Sequence, residues 1–154
     1  IEEDFIDKCI SEQKSILDNT VKYFLKIENN EPINALQFVN EELSKLFADI
    51  SELLKRDLAY KDVFYYASMI HLWTAKIHPF MDGNGRSARL LEKWFLVSKL
   101  GMSAWSINSE KYYWDNRPDY YQNIALGYNY YALYWDRCLP FLLMLPEALK
   151  ESIK

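Results

Sequence analysis

His78-Pro79-Phe80-Met81-Asp82-Gly83-Asn84-Gly85-Arg86-Ser87-Ala88-Arg89 separates two stretches of helical patterning, and reading it as a loop between helices decides the fold. Upstream, Val63, Ala67, Ile70, Trp73, Thr74 and Ile77 fall on one side of a helix predicted over about residues 60–77. Pro79 disfavours helical geometry at His78, so that helix ends there and presents the imidazole at its terminus. Downstream, a helix starting at about residues 84–86 runs through Leu90, Leu91, Trp94, Phe95 and Val97, and Gly101 is expected to stop it in the left-handed conformation. Leu36, Val39, Leu43, Leu46, Phe47, Ile50, Leu53 and Leu54 recur at steps of three and four, the stripe of an amphipathic helix over about residues 33–55. The expected fold is all-α: a single compact multi-helix domain over residues 1–154, with the loop of residues 78–89 joining two core helices.

The remaining chain is read more coarsely. Residues 2–27 carry weaker helical spacing, and Asn29-Asn30-Glu31-Pro32 marks a break. Asn116-Arg117-Pro118-Asp119 reads as a turn capping a helix that begins near Asp119. The last helix is predicted over about residues 130–145, with Pro140 as an interruption. Tyr120, Tyr121, Ile124, Tyr128 and Tyr131 follow helical spacing, which reads first as core packing with each hydroxyl finding a partner. His71, seven residues before His78, belongs inside a helix as a packed, hydrogen-bonded histidine.

The chemistry of the loop points to phosphate. A histidine with an ordinary pKa of about 6.5 is largely neutral near pH 7 and can take a proton from a hydroxyl nucleophile, so His78 reads as a general base. Asp82 supplies the single carboxylate that suffices for Mg2+, which keeps several waters when it binds beside phosphates. Gly83 and Gly85 flank Asn84 and allow successive backbone amides to turn inward as an anion-binding nest, to which a helix starting at Asn84 adds its free N–H groups. Arg86 and Arg89, three apart on that helix, share a face and can each fork onto phosphate oxygens.

Composition removes several alternatives. Of 154 residues half are apolar and 16% aromatic, which excludes disorder and suits one core burying roughly two thirds of the unfolded surface. A net charge of −4 offers no global field for nucleic acid. Cys9 and Cys138 make neither a disulfide framework nor a zinc spacing, so a reducing, cytoplasmic setting is the expectation, shared by an effector exported by a dedicated system. No apolar run has the length of a membrane span, and the acidic opening Ile1-Glu2-Glu3-Asp4 is unlike a secretory signal. The first residue is not methionine, which suggests an excised domain or trimmed chain.

The loop resembles the Fic-domain signature, His-x-Phe-x-Asp/Glu-Gly-Asn-Gly-Arg-x-x-Arg, at every specified position from His78 to Arg89. The resemblance implies a protein adenylyltransferase that moves AMP from ATP, with Mg2+, onto a Ser, Thr or Tyr hydroxyl of a target protein. On that footing His78 is the base and Asp82 the Mg2+ ligand. Gly83, Asn84 and Gly85 hold the α- and β-phosphates, Arg86 the β-phosphate and Arg89 the γ-phosphate, while Phe80 is a buried anchor. The stretch of residues 116–126 is similar to the region in which a Fic tyrosine lines the adenosine pocket, which nominates Tyr120 or Tyr121.

Two family features are missing from the pattern. The inhibitory Ser/Thr-x-x-x-Glu-Gly/Asn helix has its nearest match at Ser106 to Glu110, followed by Lys111 in turn-like surroundings, so Arg89 is expected to be free for phosphate, with inhibition absent or supplied by a partner or missing flank. The target-clamping flap hairpin is not recognisable, and only residues 26–33 could hold it. Related chemistries stay open: transfer of UMP or phosphocholine, removal of AMP from a modified protein, or Doc-like γ-phosphate transfer, although the Doc-like branch usually carries lysine where this chain has Gly85. A non-catalytic nucleotide-binding regulatory module is the alternative from another class, opposed by the presence of both His78 and Asp82.

Overall fold

Burial is concentrated on the helix that runs up to His78, and the rest of the domain is arranged around it. The computed structural model describes residues 35–127 and 133–153. Among them are six α-helices and no strand: α1 (Ala35–Lys55), α2 (Tyr60–Ile77), α3 (Asn84–Leu100), α4 (Ser109–Asp115), α5 (Arg117–Ile124) and α6 (Leu139–Ser152). Short 3-10 turns at Met102–Ser106 and Trp135–Arg137 connect them.

In α2 the buried residues are Val63, Ala67, Ser68, Ile70, His71, Leu72, Thr74 and Ile77, too many directions for one stripe, which is the pattern of a central helix. One side meets α1 and α3 through Val39, Leu43, Leu46, Ile50, Phe95 and Leu96. On the other, Leu72 meets Tyr113 of α4, Tyr120 of α5, and Phe141 and Met144 of α6. Fully burying side chains such as Phe95, Phe141 and Leu43 contributes about 1.5–3 kcal/mol each.

Helix ends are closed by lysines from α3. Lys99 Nζ donates to the carbonyls of Leu53 and Leu54 at 3.3 and 3.2 Å, and to that of Arg56, satisfying acceptors at the C-terminus of α1. Lys93, only 3% exposed, donates to the Ile107 carbonyl and pairs with Glu110 Oε2 at 3.1 Å, tying α3 to the start of α4.

The predicted helices over residues 60–77 and 84–100 are found with those bounds, and α1 accounts for the described part of residues 33–55. Three expectations need correction. Gly101 does end α3 with a positive φ of 82°, but its ψ of 179° is extended rather than left-handed helical. Asn116 to Asp119 is not an open turn: α4 and α5 are separated by Asn116 alone, and α5 starts at Arg117 because Pro118 in its first turn has no N–H to waste there. The final helix covers Leu139–Ser152 instead of about residues 130–145; Pro140 sits in its first turn and so opens it, while Pro146 is accommodated inside. The readings made for residues 2–27, Asn29 to Pro32, the flap region, Cys9, Tyr128 and Tyr131 lie outside the described residues. Cys138 is free of a disulfide, and no helix among the described residues is long and apolar enough to cross a membrane.

Candidate active site

The loop between α2 and α3 is shaped by two residues with left-handed backbone. His78 has φ 54° and ψ 55°, the one positive φ at a non-glycine among the described residues, and its N–H donates to Thr74 O at 3.2 Å. That bond ends α2, and the following proline cannot continue it. Pro79 is fully buried and Phe80 packs on the core, whereas the His78 side chain is exposed. Gly83, with φ 87° and ψ 4°, then opens α3. An L side chain there is strained, so this is the glycine that the backbone path requires.

Asn84 closes the loop. Its Oδ1 accepts the Phe80 N–H at 2.8 Å and its Nδ2 donates to the Phe80 carbonyl at 2.6 Å, with the residue only 6% exposed. The amide group is thereby committed to the loop, and what Asn84 can offer an anion is its backbone N–H. The first bond inside α3 runs from Ser87 N–H to Gly83 O at 2.9 Å, so the amides before Ser87 point out of the end of a 17-residue helix. Helix amides and the axial dipole together favour an anion at that spot.

Both arginines lie over this first turn. A Cβ on Gly83 would come within 3.3 Å of Arg86 Nη2, and one on Gly85 within 3.2 Å of Arg89 Nη1. Arg86 Nη2 also donates to Asp82 Oδ2 at 2.9 Å, while Asp82 Oδ1 accepts the Gly83 N–H at 2.6 Å. Side chains of this ion pair are 72% and 91% exposed, a setting in which a pair contributes at most about 1 kcal/mol, so phosphate or a cation can separate it. Asp82 brings the only carboxylate of the loop, and among the described residues no group of three or more His, Cys, Asp or Glu side chains could enclose a metal. One exposed carboxylate beside an anion site fits Mg2+, a hard ion content with one protein oxygen, and does not fit a transition metal.

Beside the arginines opens a cleft of about 640 Å³, within the range of small-molecule sites. Arg86, Arg89, Tyr120 and Tyr121 line it together with Leu90, Glu110, Lys111, Tyr113, Trp114 and Arg117. The sequence-derived residues thus divide in three. Arg86, Arg89, Tyr120 and Tyr121 meet in the cleft; Gly83, Gly85 and Asp82 adjoin it through the two arginines; and His78 and Asn84 are not among its walls.

Tyr120 is 6% exposed with its ring against Tyr113, Phe141 and His71, whereas Tyr121 is 55% exposed. Burial raises the Tyr120 hydroxyl pKa, an effect the adjacent Arg89 guanidinium partly offsets. Tyr113 is pushed well above the usual tyrosine value, by burial first and then by the Glu92 carboxylate. His71 is fully buried and hydrogen-bonded, as expected.

Lys111, Trp114 and Arg117 were not anticipated. Their spacing with Tyr121, three, three and four, was a helical stripe legible across residues 111–121, but Asn116 and Pro118 argued for a turn. Arg117 lies over both neighbouring rings, 5.1 Å from the centroid of Trp114 and 5.5 Å from that of Tyr121. Ser106 and Glu110 belong to two different elements, the 3-10 turn and α4, and Glu110 pairs with Lys93.

A helix opened by a left-handed glycine, two arginines over its first turn and an adjoining cleft with aromatic walls make up one helical site. The Fic/DOC family profile matches residues 9–96, more than half the chain and all of the loop, and the chain belongs to that family. No curated protein and no solved structure matches it. Membership implies Fic-type transfer activity, with a nucleotide, Mg2+ and a protein target as its usual participants.

Proposed function

We propose that the domain transfers AMP from ATP to a Ser, Thr or Tyr hydroxyl of a target protein. One observation carries the reading: a left-handed glycine opens α3 while Arg86 and Arg89 lie over the helix's first turn and line a cleft of nucleotide size. On this reading the N–H groups at Gly83, Asn84 and Gly85 hold the α- and β-phosphates, Arg86 grips the β-phosphate and Arg89 the γ-phosphate. The exposed rings of Tyr121 and Trp114 offer faces for adenine. Tyr120, the other nominated tyrosine, has its ring in the core and also borders the cleft.

His78, projecting from the end of α2, accepts the proton of the target hydroxyl as that oxygen attacks the α-phosphorus. The new O–P bond forms in line with the bond to the bridging oxygen that breaks, and pyrophosphate remains on the arginines. Asp82 would hold Mg2+ in exchange for its pairing with Arg86. Mg2+, when bound, neutralises charge on the phosphates. Alignment and charge stabilisation supply most of the acceleration, and the base a further factor of about 10²–10⁴. The reading places the work in the cytoplasm of the producing cell or of one that receives the protein, where ATP and Mg2+ are at hand.

Incubation with α- or γ-labelled ATP, Mg2+ and a cell lysate tests the assignment. Label entering protein only from the α position is the expected result. Label only from the γ position makes the domain a Doc-like kinase, and label from neither refutes AMP transfer.

A further inference from the structure

The transfer chemistry engages a target protein only through the hydroxyl that His78 would deprotonate, yet one wall of the cleft carries a cation that this chemistry does not use. Arg117 opens α5 at the cleft, with its guanidinium carbon 5.1 Å from the Trp114 ring centroid and 5.5 Å from that of Tyr121. Among the described residues no carboxylate is paired with it. Its contact with the Tyr121 hydroxyl, at 3.5 Å, is at the outer limit of a hydrogen bond.

The other charges on the cleft walls are engaged. Arg86 and Arg89 lie over the first turn of α3, where the phosphates go. Lys111 pairs with Asp115 along its own helix, and Glu110, the one carboxylate among these walls, pairs with Lys93 at 3.1 Å. Arg117 is the positive charge left over, in a chain whose formal net charge is −4. Of the two substrates only the protein has a further anion to offer it, because the negative charge of ATP resides on its phosphates, and adenine and ribose carry none.

The setting suits a peptide. Stacking on aromatic rings steadies a flat guanidinium and leaves its in-plane N–H edge for a carboxylate, which that edge matches as a two-pronged donor. Arg117 is exposed, as are Trp114 at 69%, Tyr121 at 55% and Leu90 at 61%, so an apolar and aromatic surface surrounds the charge. Tryptophan, tyrosine and arginine are the residues that dominate binding energy at protein interfaces.

We propose that Arg117, braced by Trp114 and Tyr121, is a docking contact for the target protein and takes the carboxylate of a Glu or Asp close in sequence to the acceptor hydroxyl. The proposal rests on the cleft being the nucleotide site of a protein-modifying transferase. It adds a preference for acidic target segments to that reading.

Synthetic peptides with a Ser, Thr or Tyr acceptor test this, with Glu, Gln or Lys placed in turn at each flanking position and α-labelled ATP as donor. The parent should label the best Glu peptides about two- to fivefold more than their Gln counterparts, the range for one exposed ion pair, and the Lys peptides least. Arg117→Gln should abolish the difference, and Arg117→Glu should invert it in favour of Lys, a reversal that loss of structure cannot produce. No acidic preference in the parent, or one that survives Arg117→Gln, overturns the proposal. So does a fall in MgATP affinity of Arg117→Gln measured by calorimetry, since it would put the guanidinium on the nucleotide. If the parent labels no peptide, AMP transfer fails, and fluorescence anisotropy of the same peptides without nucleotide decides the contact. Tighter binding of Glu than Gln peptides, lost in Arg117→Gln, upholds it, and equal binding overturns it.

Discussion

Replacing either glycine of the loop with alanine separates backbone necessity from side-chain crowding. At Gly83 the backbone is left-handed at φ 87°, and an L residue there costs about 1–2 kcal/mol. The added methyl would sit 3.3 Å from Arg86 Nη2, the end of a side chain that is 72% exposed and can swing away, so crowding adds little to stability loss. Gly85 is not among the glycines with positive φ and lies inside α3, where alanine is favoured over glycine by up to about 1 kcal/mol. Its new methyl would meet Arg89 Nη1 at 3.2 Å, again the mobile end of a side chain. Gly83→Ala should therefore destabilise, while Gly85→Ala should be neutral or mildly stabilising, yet both should displace an arginine and weaken triphosphate binding. Urea denaturation followed by tryptophan fluorescence reads the first effect, in a chain where about 1 kcal/mol moves Tm by roughly 2–4 °C. Calorimetric titration with MgATP reads the second. Equal destabilisation by the two alanines would refute the argument from φ, and unchanged ATP affinity in both would refute the role of the arginines.

Other outcomes follow from the site. His78→Ala should lower transfer by about 10²–10⁴-fold while leaving MgATP affinity nearly intact, and a variant that labels its target at the parent rate removes the histidine from the mechanism. Glu110→Gln should not activate the domain severalfold, because Glu110 is paired with Lys93 at 3.1 Å; strong activation in a labelling assay would show that it restrains Arg89. Burial raises the folded-state pKa of Tyr113 and Tyr120 above the ordinary value of 10.0, so their contribution to stability is complete below that pH and is lost as pH climbs through the higher folded values. Chemical denaturation between pH 8 and 11 should show stability falling above about pH 10, and a Tyr113→Phe variant should show a shallower decline.

The helix–loop–helix that carries the site was legible because its signals are local. Pro79 ends one helix, Gly83 and Gly85 permit a tight entry to the next, and the order of His, Asp and Arg is a continuous stretch of chain. The face that α3 buries was legible only in part: Phe95 is fully buried and Leu91 and Val97 pack against the core, as the pattern suggested. Hydrophobicity pointed to Leu90 and Trp94, yet these are 61% and 41% exposed, whereas Glu92 and Lys93 are buried. Lys93 is inside because it finds the Ile107 carbonyl and Glu110, and Glu92 because it finds His71 and Tyr113. Partners from distant segments outweighed the polarity of the residues themselves. The run from Ser109 to Ile124 was legible only in its second half: the helix expected near Asp119 is present from Arg117, but the turn chemistry of Asn116 and Pro118 gave no sign of the short helix before it, which packing on α6 holds in place.

What the sequence determined on its own is the helical class, the helices on either side of His78 to Arg89, and the chemical inventory of that loop. These depend on periodicity and on residues within a turn or two of one another. Tertiary structure alone decided that Trp114 and Arg117 complete a cleft with Arg86 and Arg89, and that the buried histidine is partnered by a buried glutamate. Those contacts join residues more than twenty positions apart, and such pairings are chosen by which buried polar groups can satisfy one another once the helices have packed, information that no local window of sequence contains.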